Sequence, residues 1–303
     1  MRIAYLGTSE FAAAVLRDLA GSAHRPSLVV TPPDRPRGRG RRTQSPPAAE
    51  AGRELGIELL RVADVNDEAA LERIRAARPE AVVVCAFGQM IREPLLSEWP
   101  LLNVHPSLLP RWRGAAPIER ALMAGDETTG VSVMRVTAGL DSGPVALAEE
   151  VAVGAEDDFE SLSAKLAALG SELLIQALDR LAAGDLEFAE QDDDQATYAE
   201  KIAAEDRRLD PGRSAAELSR TVRALTPHVG AYLETSAGER LGVRRARPVD
   251  VRVKRGEAKA EWGALLVGCG QGALRLEIVQ PPGGRPMPAD AFLRGHPLPK
   301  FRA

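Results

Sequence analysis

The run Ala81-Val82-Val83-Val84-Cys85 constrains the fold more than any other stretch of the chain. It has no polar alternation, so a strand here must be covered on both faces, which is the condition of a central parallel strand. Parallel neighbours need long, usually helical crossovers. The start of the chain supplies that pattern: a short apolar strand from Arg2 to Leu6, then Phe11, Ala12, Val15, Leu16 and Leu19 at helical spacing, then Leu28-Val29-Val30 as a second strand. Thr8 or Ser9 can cap the helix, and Glu10 favours its positive end. The turn has no Gly-x-Gly-x-x-Gly and is not a dinucleotide fingerprint. Helices over 48–56 and 67–78, strands at Leu101 to Val104 and Val131 to Val136, and a helix from Pro117 to Ala124 continue the alternation. An α/β class with an open, mostly parallel sheet follows for residues 1–190.

The texture then changes. Phe159, Leu162, Leu166, Leu169, Leu173 and Leu181 mark one face of a long amphipathic helix that serves core packing. An acidic stretch, Gln191 to Gln195, begins a linker over 191–208. Beyond it come a short helix (Ala216 to Leu225) and short strands at 229–234, 240–247, 264–268 and 273–279, with glycine-rich turns between them. Such spacing predicts a small β-barrel over 209–303, and 303 residues leave room for both domains.

Charge divides along the same line. Residues 1–206 hold 21 Lys+Arg against 34 Asp+Glu, a balance of −13, while residues 207–303 hold 18 against 9, a balance of +9; together they give the net −4. A basic C-terminal third suggests a polyanionic partner. The clearest basic segment lies earlier, in Pro32-Pro33-Asp34-Arg35-Pro36-Arg37-Gly38-Arg39-Gly40-Arg41-Arg42, with five arginines in the eight positions from Arg35 to Arg42. Glycine and proline keep it irregular, and like charges repel, so an exposed loop awaiting phosphate is expected. Cys85 and Cys269 form no disulfide framework. The scattered histidines include no paired spacing, so no metal is expected. No signal peptide or membrane-length apolar run is present, which predicts a cytoplasmic protein with no membrane partner; a monomer is expected.

Chemistry concentrates in Asn103-Val104-His105-Pro106-Ser107-Leu108-Leu109-Pro110-Arg111-Trp112-Arg113-Gly114-Ala115-Ala116-Pro117. Asn103 and His105 are two apart, so in extended backbone their side chains point the same way. Two N–H donors aimed at one oxygen suit acyl transfer, where each fixed donor contributes about 3–4 kcal/mol to an oxyanion. Read from these residues alone, a strand-end cap at Asn103 and a satisfied loop histidine at His105 are the stronger reading. Asp141, in Leu140-Asp141-Ser142-Gly143-Pro144, is by itself ordinary turn chemistry.

Taken together, Asn-x-His, Ser107 to Pro110, Arg113 to Pro117 and the Leu-Asp-x-Gly-Pro turn resemble the signature of the 10-formyltetrahydrofolate-dependent formyltransferases. The likeness extends through Tyr198-Ala199-Glu200-Lys201 to Gly270-x-Gly272-Ala273-Leu274-Arg275-Leu276, Gln280-Pro281-x-Gly283 and Phe292-Leu293-x-Gly295. It implies a Rossmann-like sheet domain followed by an OB-like β-barrel, with 10-formyltetrahydrofolate as co-substrate. Asn103, His105 and Asp141 would be catalytic, with Asp141 orienting His105 and helping to move protons. Phe87, Gly88, Gln89, Met90 and Ile91, with Ser107, Leu108, Leu109 and Pro110, would seat the pterin.

The arginine loop resembles the insertion by which tRNA-specific members reach the acceptor arm. Arg35, Arg37, Arg39, Arg41 and Arg42, with Arg244, Arg245 and Arg247 in the barrel, would then bind tRNA. The implied reaction formylates the α-amine of methionine esterified to initiator tRNA. Two departures stand out: Ser9 replaces a usual proline, and Pro47-Ala48-Ala49 stands where the family often has a lysine. The alternatives are a sister enzyme that formylates an amino sugar nucleotide or hydrolyses the folate, and an RNA-binding protein on a retired catalytic domain. The first leaves the arginine loop without a purpose, and the intact trio argues against the second.

Overall fold

Five adjacent strands of the first sheet run parallel because the crossovers between them are helical or long. In the computed structural model the order is β1 (Ile3–Gly7), α1 (Glu10–Ala20), β2 (Pro26–Thr31), β3 (Arg35–Arg37), β4 (Arg42–Gln44), α2 (Pro47–Glu54), β5 (Glu58–Arg61), α3 (Glu68–Ala76), β6 (Ala81–Cys85), α4 (Leu95–Glu98) and β7 (Leu101–His105). Then come β8 (Arg113–Gly114), α5 (Pro117–Ala124), β9 (Thr128–Arg135), β10 (Val145–Ala152), α6 (Phe159–Ala183) and β11 (Tyr198–Ala199). The structure describes all residues except 38–41, 262 and 303.

The seven-stranded sheet has the order β10-β9-β7-β6-β1-β2-β5, antiparallel only at β7–β9 and β9–β10. The valine run forms β6, buried throughout between β1 and β7. Removing each of its valines from water contributes about 1.5–3 kcal/mol. Ser9 caps α1 by accepting the Ala12 N–H. Register brings Gly7 opposite Cys85 and Val84 opposite Asn103. The loops after β1, β6 and β7 therefore leave the same edge of the sheet. The chain fills one side of β1 with β2 and β5, then crosses to β6 and β7. That reversal is where open α/β sheets form ligand crevices.

By contacts the chain divides into two units: Met1–Pro117, Thr128–Ala152 and Ser163–Ala199 in the first, and Ile118–Glu127, Val153–Leu162 and Glu200–Ala303 in the second. The second contains α7 (Ala215–Leu225), β12 (Ala231–Glu234), β13 (Arg240–Val249), β14 (Ala258–Glu261), β15 (Ala264–Gly268), β16 (Ala273–Gln280), β17 (Met287–Pro288) and α8 (Ala289–Gly295). The short strands expected here form an antiparallel sheet, order β12-β13-β16-β15-β14, with β17 beside β16. Leu218 and Val222 of α7 share a core with Leu233, Val243, Val267 and Leu276. Ser214 and Glu217 close a capping box at the start of α7. The sequence reading missed β14, whose Ala-Lys-Ala-Glu text has low strand propensity and forms an edge beside β15.

Candidate active site

The end of β7 places Asn103 opposite Met134 and His105 opposite Ser132 of β9, and both site side chains are buried. The loop that follows is held by Ser132. Its hydroxyl donates to the Ser107 carbonyl (2.8 Å) and accepts from the Leu109 N–H (3.1 Å). The Ser107 hydroxyl donates to the Arg111 carbonyl at 2.6 Å, so this serine, predicted to bind the pterin, is spent on shaping its own loop. Leu108, Leu109 and Pro110 are half-buried within it.

His105 Nε2 lies 2.9 Å from the Trp112 carbonyl. A carbonyl only accepts, so Nε2 carries the hydrogen and Nδ1 faces the other way. There it meets Asp141 Oδ2 at 3.7 Å, too far for a hydrogen bond but within ion-pair range once Nδ1 is protonated. The same Oδ2 accepts the Gly114 N–H at 2.9 Å, and Oδ1 faces Asn103 Nδ2 at 3.4 Å. The three predicted catalytic residues are thus brought together, with the carboxylate between the amide and the imidazole. Only one of the two Asn103 amide hydrogens is directed at Asp141, which leaves the other for an incoming oxygen.

Gln191, which the sequence did not single out, and Arg113, marked there only as part of the signature motif, complete this arrangement. The Gln191 amide nitrogen donates to the carbonyls of Asp141 (2.9 Å) and Gly143 (2.7 Å). Its oxygen accepts from Arg113 through Nε (3.0 Å) and a terminal nitrogen (2.8 Å). Glutamine in a polar, acidic stretch carries no local signal of such a role.

The loop Phe87 to Ile91 leaves β6 beside this edge. Phe87 and Ile91 are buried in the core on that side of the sheet, whereas Met90 is 54% exposed. The loop is pinned from two distant places. Thr8 donates to the Phe87 carbonyl (2.7 Å), and Asn66 donates to the Met90 carbonyl (2.9 Å) while accepting the Arg92 N–H (2.8 Å). Gln89 turns inward, accepting the Val65 N–H at 2.8 Å, so what the loop can offer a ligand is mainly backbone. The sequence offered Thr8 only as an alternative helix cap, a role that Ser9 takes, and gave no sign of Asn66. Cys85, just below, is no nucleophile: burial pushes its thiol up to about 12.

A cavity of about 350 Å³ lies at the start of β7, among Leu96, Trp99, Leu101, Leu102, Val136 and Phe188. None of the predicted pterin-loop residues lines it. Among the described residues no group of three His, Cys, Asp or Glu side chains is placed to hold a metal ion. Nor is any helix among them long and apolar enough to cross a membrane.

Of the arginines expected to meet tRNA, Arg39 and Arg41 lie outside the described residues. Arg37 and Arg42 pair through their backbones in β3 and β4, and Arg35 is exposed at the start of β3. In the second unit Arg244 is half-buried and donates to Gln280. Arg245 and Arg247 are exposed on β13 and share the Glu277 carboxylate at 2.8 and 3.2 Å.

An open α/β sheet that gathers an amide and an imidazole from β7 and a carboxylate from the turn between β9 and β10 belongs with the group-transferring α/β enzymes. Residues 1–178 match the Formyl transferase family and residues 201–297 match Formyl transferase, C-terminal domain. The chain belongs to the formyl transferase family.

It is 42% identical over 301 residues to a methionyl-tRNA formyltransferase of Methylobacillus flagellatus, covering 98% of this chain and 97% of the relative. With the methionyl-tRNA formyltransferase of Methylococcus capsulatus it shares 43% identity over 302 residues, 98% of each. The crystal structure of HypX from Aquifex aeolicus in complex with tetrahydrofolic acid shares the fold (TM-score 0.67, 19% identity) over 100% of this chain, which spans 51% of that protein. The sugar 3N-formyl transferase WlaRD shares it too (TM-score 0.65, 12% identity), covering 91% of this chain and 97% of that one.

Proposed function

We propose that this enzyme transfers the formyl group of 10-formyltetrahydrofolate to the α-amine of methionyl-initiator tRNA. The observation that carries the reading is the convergence of Asn103, His105 and Asp141 in a chain whose named relatives match it end to end. The neutral amine attacks the formyl carbon and the carbonyl becomes an oxyanion. The free Asn103 N–H and a protonated His105 Nδ1 stabilise that charge, each fixed donor contributing about 3–4 kcal/mol. His105 cannot present Nε2 instead, because the Trp112 carbonyl holds it. Asp141 receives the proton released by the amine and returns it to the departing N10 as the carbon–nitrogen bond breaks. Backbone groups of residues 87–91 and of the 107–110 loop seat the pterin.

The arginines of the 35–42 segment and Arg244, Arg245 and Arg247 neutralise tRNA phosphates. The enzyme acts as a monomer in the cytoplasm. Single-turnover transfer to Met-tRNA, initiator against elongator, tests the reading. Fast formylation of the initiator alone is expected. Preference for an amino sugar nucleotide would overturn the acceptor assignment.

A further inference from the structure

We propose that Gln191 is a positioning residue for Asp141, with Arg113 fixing the orientation of its amide; the inference rests on the formyl-transfer reading above. Asp141 has φ +46°, a left-handed conformation that a non-glycine residue keeps only where its surroundings over-determine it. On the backbone side those surroundings are one side chain. Both the Asp141 and Gly143 carbonyls are taken by Gln191 Nε2, at 2.9 and 2.7 Å, so the amide bridges the turn from either side of Ser142.

The orientation of that amide is decided by its other end. Arg113 can only donate, and its Nε and terminal nitrogen converge on Gln191 Oε1 at 3.0 and 2.8 Å. Arg113 is 3% exposed, so its guanidinium lies in a medium where such bonds are strong. Its third contact, Asp193 at 2.7 Å, is 81% exposed and screened, so that pair holds little. The residue after Arg113 closes the arrangement: the Gly114 N–H donates to the Asp141 carboxylate itself. One short segment therefore grips the turn twice, directly on the carboxylate and through Gln191 on the backbone. The pairing of β8 with β11 and the Arg113 N–H to Thr197 carbonyl bond (2.8 Å) hold residue 113 against the segment that follows Gln191.

Gln191→Glu separates the two ends. It keeps an oxygen for Arg113 and loses the N–H groups for the turn, presenting lone pairs to two carbonyls instead. The expected result is a kcat lower by about 100-fold, the scale of a misplacement near 1 Å, with KM for Met-tRNA within about twofold because no substrate contact is removed. Gln191→Met, which keeps length and volume without either polar end, carries the same expectation should the acid prevent folding. In an Asp141→Asn background, Gln191→Glu should cost almost nothing further, because the two act as a unit. A folded Gln191→Glu with kcat within about twofold of wild type, or a full additional loss in the Asp141→Asn background, overturns the proposal. A wild-type enzyme that transfers no formyl group to Met-tRNA overturns the functional reading instead, and the two failures are distinguishable in the same assay.

Discussion

Gly143→Ala is the smallest change that should disable the site without touching a reacting group. A Cβ built at Gly143 falls 2.0 Å from the Arg135 carbonyl oxygen and 3.1 Å from its carbon. Cβ contacts essentially stop at 3.0 Å, and the obstacle is strand backbone, so the turn must retreat from β9 by about 1 Å. That retreat strains the Arg135 N–H to Pro144 carbonyl bond (2.9 Å) and the Gln191 bond to the Gly143 carbonyl (2.7 Å). Two hydrogen bonds at about 1 kcal/mol each set the stability loss near 2 kcal/mol. Asp141, two residues back, moves with the turn and away from His105 Nδ1. A 1 Å error in a catalytic group costs about 100-fold in rate. Rapid-quench single-turnover formyl transfer measures this directly, with urea unfolding run beside it. Undiminished transfer by the folded variant would refute the reasoning, since Asp141 would then tolerate displacement and could not be positioning His105.

Four further outcomes are expected. His105→Ala should lower kcat by about 100- to 1,000-fold with Met-tRNA binding intact, checked by pairing turnover with filter binding. Arg245→Ala with Arg247→Ala should weaken tRNA binding and flatten the plot of log K against log salt by about 1 rather than 2, because Glu277 already offsets one of the two charges. Burial raises the Cys85 thiol to about 12 and that of Cys269 to about 11, so a thiol-specific chromogenic reagent at pH 8 should label neither in the native protein and both in denaturant. The Ser214 N–H, the Arg213 guanidinium and the Ser214 hydroxyl hold Glu217 down to about 2 from 4.5. A depressed carboxylate contributes stability that is present above pH 4.5 and lost as pH falls through about 2. Glu217→Gln, which keeps the capping geometry, should therefore be less stable than wild type at pH 7 by about 1 kcal/mol, discounted for a side chain 34% exposed, with the gap closing across that acid window in urea titrations.

The sheet was legible where burial alone dictates sequence. Ala81 to Cys85 has to be apolar on both faces, and β6 is the strand it predicts. The leucine face from Phe159 likewise predicts α6. The phrase Ala-Lys-Ala-Glu of β14 was illegible because an exposed edge imposes no such demand. Within the site, Asn103 and His105 share a face by simple alternation. Nothing in spacing, however, pairs either with Asp141, 38 residues beyond Asn103; only the resemblance of the two motifs to a family connected them.

What the sequence hid has a common physical cause. Among the described residues four that are not glycine have positive φ, and three of them, Ala86, Trp112 and Asp141, lie in the loops of the site. Glycine usually marks such positions in a sequence; its absence conceals them. Each strained residue is held by a tie from far along the chain: Thr8 to the Phe87 carbonyl beside Ala86, Thr197 to the Trp112 N–H, and Gln191 to the Asp141 carbonyl. A threonine or glutamine in a polar stretch is unremarkable until its partner is known. The residues that were unreadable are therefore the ones that fix the loops in place. Loosening any of them should shift its loop toward relaxed backbone and lower kcat before it lowers stability, because the strain released on relaxation offsets part of the lost hydrogen bond.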